Sequence, residues 1–89
     1  MLLVSTNISN AQNKNNGEYI IPAVVNEKWG FINEYGQWIV EPKFESIDDF
    51  KTNGLARIKQ NNKYGVINTS GEIVVKPQYD NIRIVGDLI

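Results

Sequence analysis

A six-residue stretch that recurs 35 positions later constrains this chain more than any single residue does. Residues 28–33 read Lys-Trp-Gly-Phe-Ile-Asn, and residues 63–68 read Lys-Tyr-Gly-Val-Ile-Asn. When residues 28–50 are superimposed on residues 63–85, eight of the 23 pairs are identical. Recurrence at such an interval is typical of repeat proteins, in which each copy buries its apolar face against a neighbour.

The residue types shared by the two copies favour strands and turns. The chain contains 12 Ile and 8 Val but only 4 Leu and 3 Ala, and β-branched side chains suit a pleated sheet better than a helix. The signature positions common to both copies are Trp29 and Tyr64, Gly30 and Gly65, Gly36 and Gly71, and Pro42 and Pro77. We therefore predict an all-β fold, a small antiparallel meander built from about two tandem three-stranded repeats.

The second copy shows the strand pattern of one repeat most clearly. Residues 55–59 alternate apolar and polar side chains, and the pair Asn61-Asn62 suits a tight hairpin. Gly71 is expected to adopt a positive φ in the next turn. The third strand, residues 72–75, is apolar on both faces, which predicts cover on both faces. It is expected to end at Pro77, because proline donates no ladder hydrogen bond.

The first copy follows the same plan, with an opening strand from Tyr19 to Val25 and a hairpin that is expected to be one residue shorter. Pro22 within that strand favours an edge position. Residues 43–53 carry apolar side chains at spacings of three, which fits either a short helical turn or a bridging strand. Gly30 and Gly65 lack a Cβ and are expected to let a neighbouring backbone or ring approach closely.

Residues 1–17 differ in composition from the rest of the chain. Five asparagines lie there among Ser, Thr, Gln and Gly without an amphipathic period, which is typical of a flexible leader. The alternative is the remnant of an export signal, with Met1 to Val4 ending its apolar core and Ser9-Asn10-Ala11 preceding a cleavage site. The remainder divides into one repeat at residues 18–53 and another at residues 54–89, in one compact domain or a fragment of a longer array.

Composition excludes several classes of function. The chain has no Cys and no His, which removes thiolate and imidazole metal ligands and the usual near-neutral general base. Nine Lys and Arg balance ten Asp and Glu, so no strong field attracts nucleic acid or an anionic membrane. No apolar run approaches the roughly 20 residues of a membrane span. We expect no catalysis, no cofactor and no metal, because no nucleophile–base set is visible.

Two groups of side chains are candidates for ligand contacts. Tyr35 and Trp38 have Ser70 and Ile73 as their counterparts in the second copy, so the fold does not require aromatics there. They form either a stacking platform for a sugar or peptide, or a core residue and an incidental one. The acidic group of Glu45 and Asp48-Asp49 is interpreted as a solvated loop rather than a cation site.

Together these residues resemble the WG-repeat family of bacterial proteins, also called KWG repeats. The resemblance extends from about residue 19 to residue 85 and rests on residues 28–33, Gly36, residues 40–45, residues 54–56, residues 63–68, Gly71 and residues 75–80. Tyr64 stands where the family signature has Trp. The resemblance implies a β-rich repeat, usually in longer arrays, with interaction roles rather than catalytic activity.

We therefore expect a non-catalytic repeat module that binds protein or associates with itself through an open sheet edge. Carbohydrate or cell-envelope binding through exposed aromatics is the alternative, and neither nucleic acid nor membrane insertion is expected. The resemblance implies a bacterial source. The protein is expected to be secreted or in the cell envelope if the N-terminus is a clipped signal, and cytoplasmic otherwise.

Overall fold

A computed structural model describes residues 3–4, 12–13 and 19–85 of the chain, the first two pairs by backbone alone. The described residues form strands and turns, and none of them lies in a helix able to cross a membrane. The strands are β1 (Leu3–Val4), β2 (Gln12–Asn13), β3 (Tyr19–Val25), β4 (Lys28–Ile32), β5 (Trp38–Phe44), β6 (Ser46–Ile47), β7 (Leu55–Gln60), β8 (Lys63–Asn68) and β9 (Ile73–Tyr79).

The strands form two antiparallel sheets, one for each repeat. The first has the order β1-β3-β4-β5, with β2 also pairing with β3, and the second has the order β6-β7-β8-β9. Each repeat contributes a meander of three long strands, β3-β4-β5 or β7-β8-β9. The prediction of an all-β fold built from two tandem three-stranded repeats is confirmed.

The first hairpin of each repeat has a two-residue turn. Asn26 and Glu27 have φ angles of 50° and 67°, and Asn61 and Asn62 have φ angles of 52° and 65°. Two successive positive φ angles define the turn whose twist matches that of the flanking strands. The prediction for Asn61-Asn62 is confirmed. The prediction of a shorter first hairpin is wrong, because Glu27 adopts the left-handed conformation in spite of its side chain.

The second turn of each repeat is organised by an asparagine. The Asn33 Oδ1 accepts hydrogen bonds from the backbone N–H groups of Tyr35 and Gln37, at 2.9 and 3.0 Å. Asn68 does the same in the second repeat. Gly36 and Gly71 follow with φ angles of 81° and 84°, which confirms the prediction for Gly71. The recurrence of asparagine in both copies therefore reflects a side chain that adds two hydrogen bonds to the backbone bonds of the turn.

The third strand of each repeat continues through its proline, so the prediction that it ends at Pro77 is wrong. In the second repeat, Tyr64 pairs with Tyr79 and Val66 pairs with Val75, which leaves residues 76–78 opposite Gly65 alone. Pro77 lies in this bulge, where no ladder hydrogen bond is required of it.

The bulge explains the glycine that follows each aromatic. A Cβ at Gly65 would lie 2.8 Å from the Pro77 nitrogen and closer still to the Val75 carbonyl oxygen, and Gly30 meets Val40 and Pro42 in the same way. At these distances, a side chain on either glycine would force the neighbouring backbone to shift. The predicted close approach is therefore made by the backbone of the glycine's own repeat.

Two further predictions from the sequence concern the burial of β9 and the position of Pro22. Val74 is exposed and its neighbours Ile73 and Val75 are half-buried. The prediction that the third strand is covered on both faces is therefore wrong for β9. The prediction of an edge position for Pro22 is wrong for the strand as a whole, because β3 pairs with β4 on one side and with β1 and β2 on the other. Pro22 itself lies between the positions that pair with β1 and those that pair with β2.

The segment between the repeats is a bridging strand. Ser46 pairs with Lys59 and Ile47 with Ile58, so β6 belongs to the second sheet although it follows β5 of the first almost directly. This resolves the alternatives for residues 43–53 in favour of a strand. The core lies where the sheets meet, and its cluster contains Ile20, Phe31, Val40, Phe44 and Phe50 from the first repeat and Ala56, Ile58 and Ile67 from the second.

The N-terminal strand β1 takes the place at the first repeat that β6 takes at the second. Leu3 pairs with Val24 and Val4 with Ala23, and these partners lie 35 positions before Lys59 and Ile58, the partners of β6. Sequence analysis did not predict β1 or β2. The leader and export-signal hypotheses otherwise fall on residues outside the described part of the chain.

Candidate functional site

The second repeat covers the end of the first with apolar side chains. Phe44 is completely buried and Phe50 is 9% exposed, and both belong to the core cluster that spans the two repeats. Gly71 in the second repeat lies against Ile39, since a Cβ at position 71 would be 2.6 Å from the Ile39 Cγ2. The end of the first repeat is thus a surface that a following repeat occupies.

Polar contacts fix the register between the two repeats. The Glu45 N–H donates to the Lys59 carbonyl oxygen at 2.7 Å, and the Asp48 N–H donates to the Arg57 carbonyl oxygen at 2.9 Å. The Glu45 carboxylate accepts from the backbone N–H of Asn62 at 3.1 Å, in the hairpin turn of the next repeat. Backbone pairing and a carboxylate at a turn together determine how one repeat follows another.

The same positions are open at the end of the second repeat. Tyr79 corresponds to Phe44 and is 47% exposed, and Val85 corresponds to Phe50 and is 69% exposed. Val74, which corresponds to Ile39, is also exposed. We call the surface formed by Val74, Tyr79, Ile82 and Val85 the open end. Of its four equivalents in the first repeat, Phe44 and Phe50 are buried and Ile39 and Ile47 are half-buried.

Electrostatics at the open end differ from those at the covered interface. Asp80 corresponds to Glu45, but its carboxylate binds Lys63 of its own repeat, with the two charged atoms 2.5 Å apart. The hydrogen bond from Lys63 lowers the pKa of the fully exposed Asp80 carboxyl below its ordinary value, and the attraction of the Lys63 charge adds to this. The carboxylate at this position therefore remains charged to lower pH than an isolated aspartate.

The two predicted ligand-contact residues lie near one end of the first sheet. Tyr35 is 78% exposed in the Asn33 turn, and Trp38 is half-buried at the start of β5, opposite Ile32. Within residues 19–85, the one ring–ring contact joins Phe31 and Phe50, with centroids 5.7 Å apart. The structure thus shows no stacked Tyr35–Trp38 pair in this part of the chain, and their role as ligand contacts stays a prediction.

The acidic residues near the repeat junction are partly engaged. Asp48 accepts a 2.9 Å hydrogen bond from the Arg57 Nε, and Glu45 caps the hairpin turn as described above. Among residues 19–85, no group of three carboxylates, histidines or cysteines lies close enough together to hold a metal ion.

The signature aromatics occupy equivalent places. Trp29 is half-buried and pairs with Val24 on one side and Phe44 on the other. Tyr64 is also half-buried and pairs with Lys59 and Tyr79. Trp29 and Tyr64 therefore have the same place in the strand register and differ in the side chains around them. Beside Tyr64, the Arg57 guanidinium lies 4.4 Å from the centre of the ring.

Sequence reasoning did not find the open end, although one signal was present. The copies differ at the covered positions: Phe44 is replaced by the more polar Tyr79, and Phe50 is replaced by the smaller Val85. A residue that must be buried by a neighbour tends to be larger and wholly apolar. The side on which the neighbour lies is a tertiary feature that the aligned copies do not show.

Comparison with known proteins agrees with the repeat. The family described as WG containing repeat has a model that matches residues 29–64 and again residues 64–87. These segments begin at the aromatic of β4 or β8, whereas the units proposed from sequence begin at the first strand, and the division at residues 18–53 and 54–89 stays a prediction. Neither a curated protein nor a solved structure shows significant similarity to the chain.

Proposed function

Because this chain belongs to the family of proteins with WG repeats, we propose that it is a non-catalytic module that binds protein through the open end of its second repeat. One observation carries the proposal. At equivalent positions, Phe44 is completely buried by the neighbouring repeat and Tyr79 is 47% exposed. An apolar surface with a defined partner in one repeat is a candidate interaction surface in the next.

The occupant is inferred from what covers the first repeat. In the first repeat, the counterparts of the open-end residues lie against the hairpin β7–β8, and the first strand of this hairpin pairs with β6. The partner is therefore a protein that presents the free first strand of a repeat of the same kind. Recognition combines backbone pairing, which supplies affinity, with apolar side chains, which set the register.

A second copy of this chain does not present that strand freely, because β1 already pairs with β3. We therefore expect the unchanged protein to remain a monomer of 10.1 kDa. Substitution Val4→Pro removes a donor from β1 and is expected to free the outer edge of β3. This variant should associate head to tail, with a sedimentation mass that rises with concentration.

Two further substitutions locate the contact in the Val4→Pro background. Tyr79→Arg places a charge on the open end and should return the protein to a monomer, whereas Tyr35→Arg changes an exposed tyrosine elsewhere and should not. Association that survives Tyr79→Arg, or a folded Val4→Pro variant that stays monomeric, would refute the proposal. If Val4→Pro is unfolded by circular dichroism, a chain extended by a third repeat, made by placing a copy of residues 51–85 directly after Val85, tests the same surface.

A second candidate is carbohydrate binding, which rests on the exposure of Tyr35 beside Trp38 in sequence. A glycan stacked there should change the tryptophan fluorescence of the protein, and Tyr35→Ala should abolish that change. No fluorescence response to a panel of cell-wall glycans would remove this candidate without affecting the first.

A further inference from the structure

A cleft of about 310 Å³ lies between strands β3 and β4 and the segment of residues 46–50, and none of the four open-end residues lines it. Its lining includes the apolar side chains of Pro22, Trp29 and Phe50 and the polar residues Ser46, Asp48 and Asp49. The cleft therefore combines an indole ring with a carboxylate, which are the two groups that attract an organic cation most strongly.

The second repeat shows what fills the equivalent space. The Arg57 guanidinium lies over the Tyr64 ring, with its central carbon 4.4 Å from the ring centre. Its NH1 donates hydrogen bonds to the Asn81 Oδ1 at 2.9 Å and to the Ile82 carbonyl oxygen at 3.2 Å. Its Nε donates to the Asp48 carboxylate at 2.9 Å, so the guanidinium is held between an aromatic face and three oxygen acceptors, one of them charged.

Four residues of the cleft have counterparts in this arrangement, whereas its carboxylates do not: Asp48, which binds Arg57, corresponds to Asn13, and Asp49 corresponds to Ile84. At the 35-residue offset, Trp29 corresponds to Tyr64, Ser46 to Asn81 and Ile47 to Ile82. Pro22 corresponds to Arg57 and pairs with Phe31 as Arg57 pairs with Val66. The first repeat retains an aromatic ring and the counterparts of the two residues that accept from the Arg57 NH1, but it has a proline ring where the second repeat supplies the cation.

We propose that this cleft binds an arginine side chain of a partner protein, with the guanidinium stacked on Trp29. Ser46 and the Ile47 carbonyl take the roles of Asn81 and Ile82, and the Asp49 carboxylate balances the charge. Trp is the ring that attracts cations most strongly, and the planar fork of arginine suits several acceptors at once. The inference rests on the proposed protein-binding role only in assigning the cation to a protein.

The direct test uses a short peptide with one arginine, acetyl-Gly-Arg-Gly-amide, and observes the indole N–H signals of Trp29 and Trp38 by NMR. A Trp38→Phe variant assigns the two signals. We expect a saturable shift of the Trp29 signal with a roughly millimolar dissociation constant, because a single side chain is bound. The same peptide with citrulline, the uncharged isostere of arginine, should produce no such shift.

Two variants test the geometry. Asp49→Asn should lower the affinity for the arginine peptide about threefold to tenfold. Pro22→Arg should supply the guanidinium from within the chain, as Arg57 does in the second repeat, and should abolish peptide binding, whereas Pro22→Gln should leave binding detectable. If a variant does not fold, the comparison of arginine with citrulline on the unchanged protein still decides.

Three results would overturn the inference: no shift of Trp29 with the arginine peptide, an equal shift with citrulline, or undiminished binding by folded Pro22→Arg. None of them affects the open end, which is tested by sedimentation and by Tyr79. Conversely, loss of association through the open end leaves the peptide titration unchanged.

Discussion

Gly71 of the second repeat lies directly against Ile39 of the first, so closely that a Cβ at position 71 would be 2.6 Å from the Ile39 Cγ2. Its counterpart Gly36 has a similar φ, 81° against 84°, but in the part of the chain that the structure describes no heavy atom lies within 4 Å of the equivalent Cβ position. The two glycines thus share a backbone conformation and differ only in whether another repeat lies beside them.

This pair separates backbone strain from contact between repeats. Gly36→Ala should cost about 1 kcal/mol, because alanine is disfavoured at positive φ. Gly71→Ala carries the same strain and also overpacks the junction, so it should cost about 1–3 kcal/mol more. Urea unfolding of both variants gives the difference. Equal losses would show that the repeats do not touch at this turn.

A second matched pair is formed by Phe44 and Tyr79. Phe44→Ala removes a completely buried ring from the junction and should lower the free energy of unfolding by about 3–5 kcal/mol. Tyr79→Ala truncates the equivalent ring at the open end, where it is 47% exposed, and should cost about 1 kcal/mol or less. A loss from Tyr79→Ala as large as that from Phe44→Ala would mean that the open end is already covered.

The turn at Asn26-Glu27 offers a stabilising substitution. Glu27 has a φ of 67°, a conformation that glycine adopts without penalty and that Asn-Gly pairs favour in two-residue hairpins. Glu27→Gly should raise the free energy of unfolding by about 0.5–1 kcal/mol, as measured by thermal unfolding. Glu27→Ala keeps the strain and removes the charge, so a gain from alanine as large as that from glycine would contradict the backbone explanation.

The Asp80–Lys63 pair predicts a titration. The folded-state pKa of Asp80 is lowered by the hydrogen bond from Lys63 and by its charge. A lowered folded-state pKa means that the stabilisation is present above the pH at which the unfolded aspartate titrates, and that it is lost as the pH falls through the folded-state value. Carboxyl NMR should show the depressed pKa, and Lys63→Met should return it to the ordinary value.

Lys28→Met is the control for this titration, because Lys28 is the counterpart of Lys63 in the other repeat. It should leave the pKa of Asp80 unchanged. An Asp80 pKa that is indifferent to Lys63→Met would show that the pair is not formed in solution.

Local features of the fold followed from the sequence, whereas features set by neighbouring strands did not. The Asn61-Asn62 hairpin and the positive φ of Gly71 depend on a few adjacent residues, whose conformational preferences are short-ranged. Pro77 was misjudged because a bulge opposite Gly65 accommodates it, and the bulge exists only through the pairing of β8 with β9.

The candidate site was less predictable for the same reason. Phe44 and Tyr79 align in sequence, and only the placement of the second repeat makes one of them core and the other surface. The cleft beside Trp29 likewise arises because the first repeat has Pro22 at the position where the second repeat has Arg57. Aligning the two copies shows this difference, but the space it leaves becomes visible only when the strands are assembled.

The central claim is that a further repeat would occupy the open end as the second repeat occupies the end of the first. The most direct measurement uses a three-repeat chain, made by placing a copy of residues 51–85 directly after Val85. In the first repeat, the N–H groups of Glu45 and Asp48 donate to β7 carbonyls, and their counterparts are the N–H groups of Asp80 and Arg83. Hydrogen exchange at these two amides should slow by at least about tenfold relative to the unchanged protein. Exchange at Asp80 and Arg83 as fast as in the unchanged protein, with the added repeat folded or not, would contradict the account.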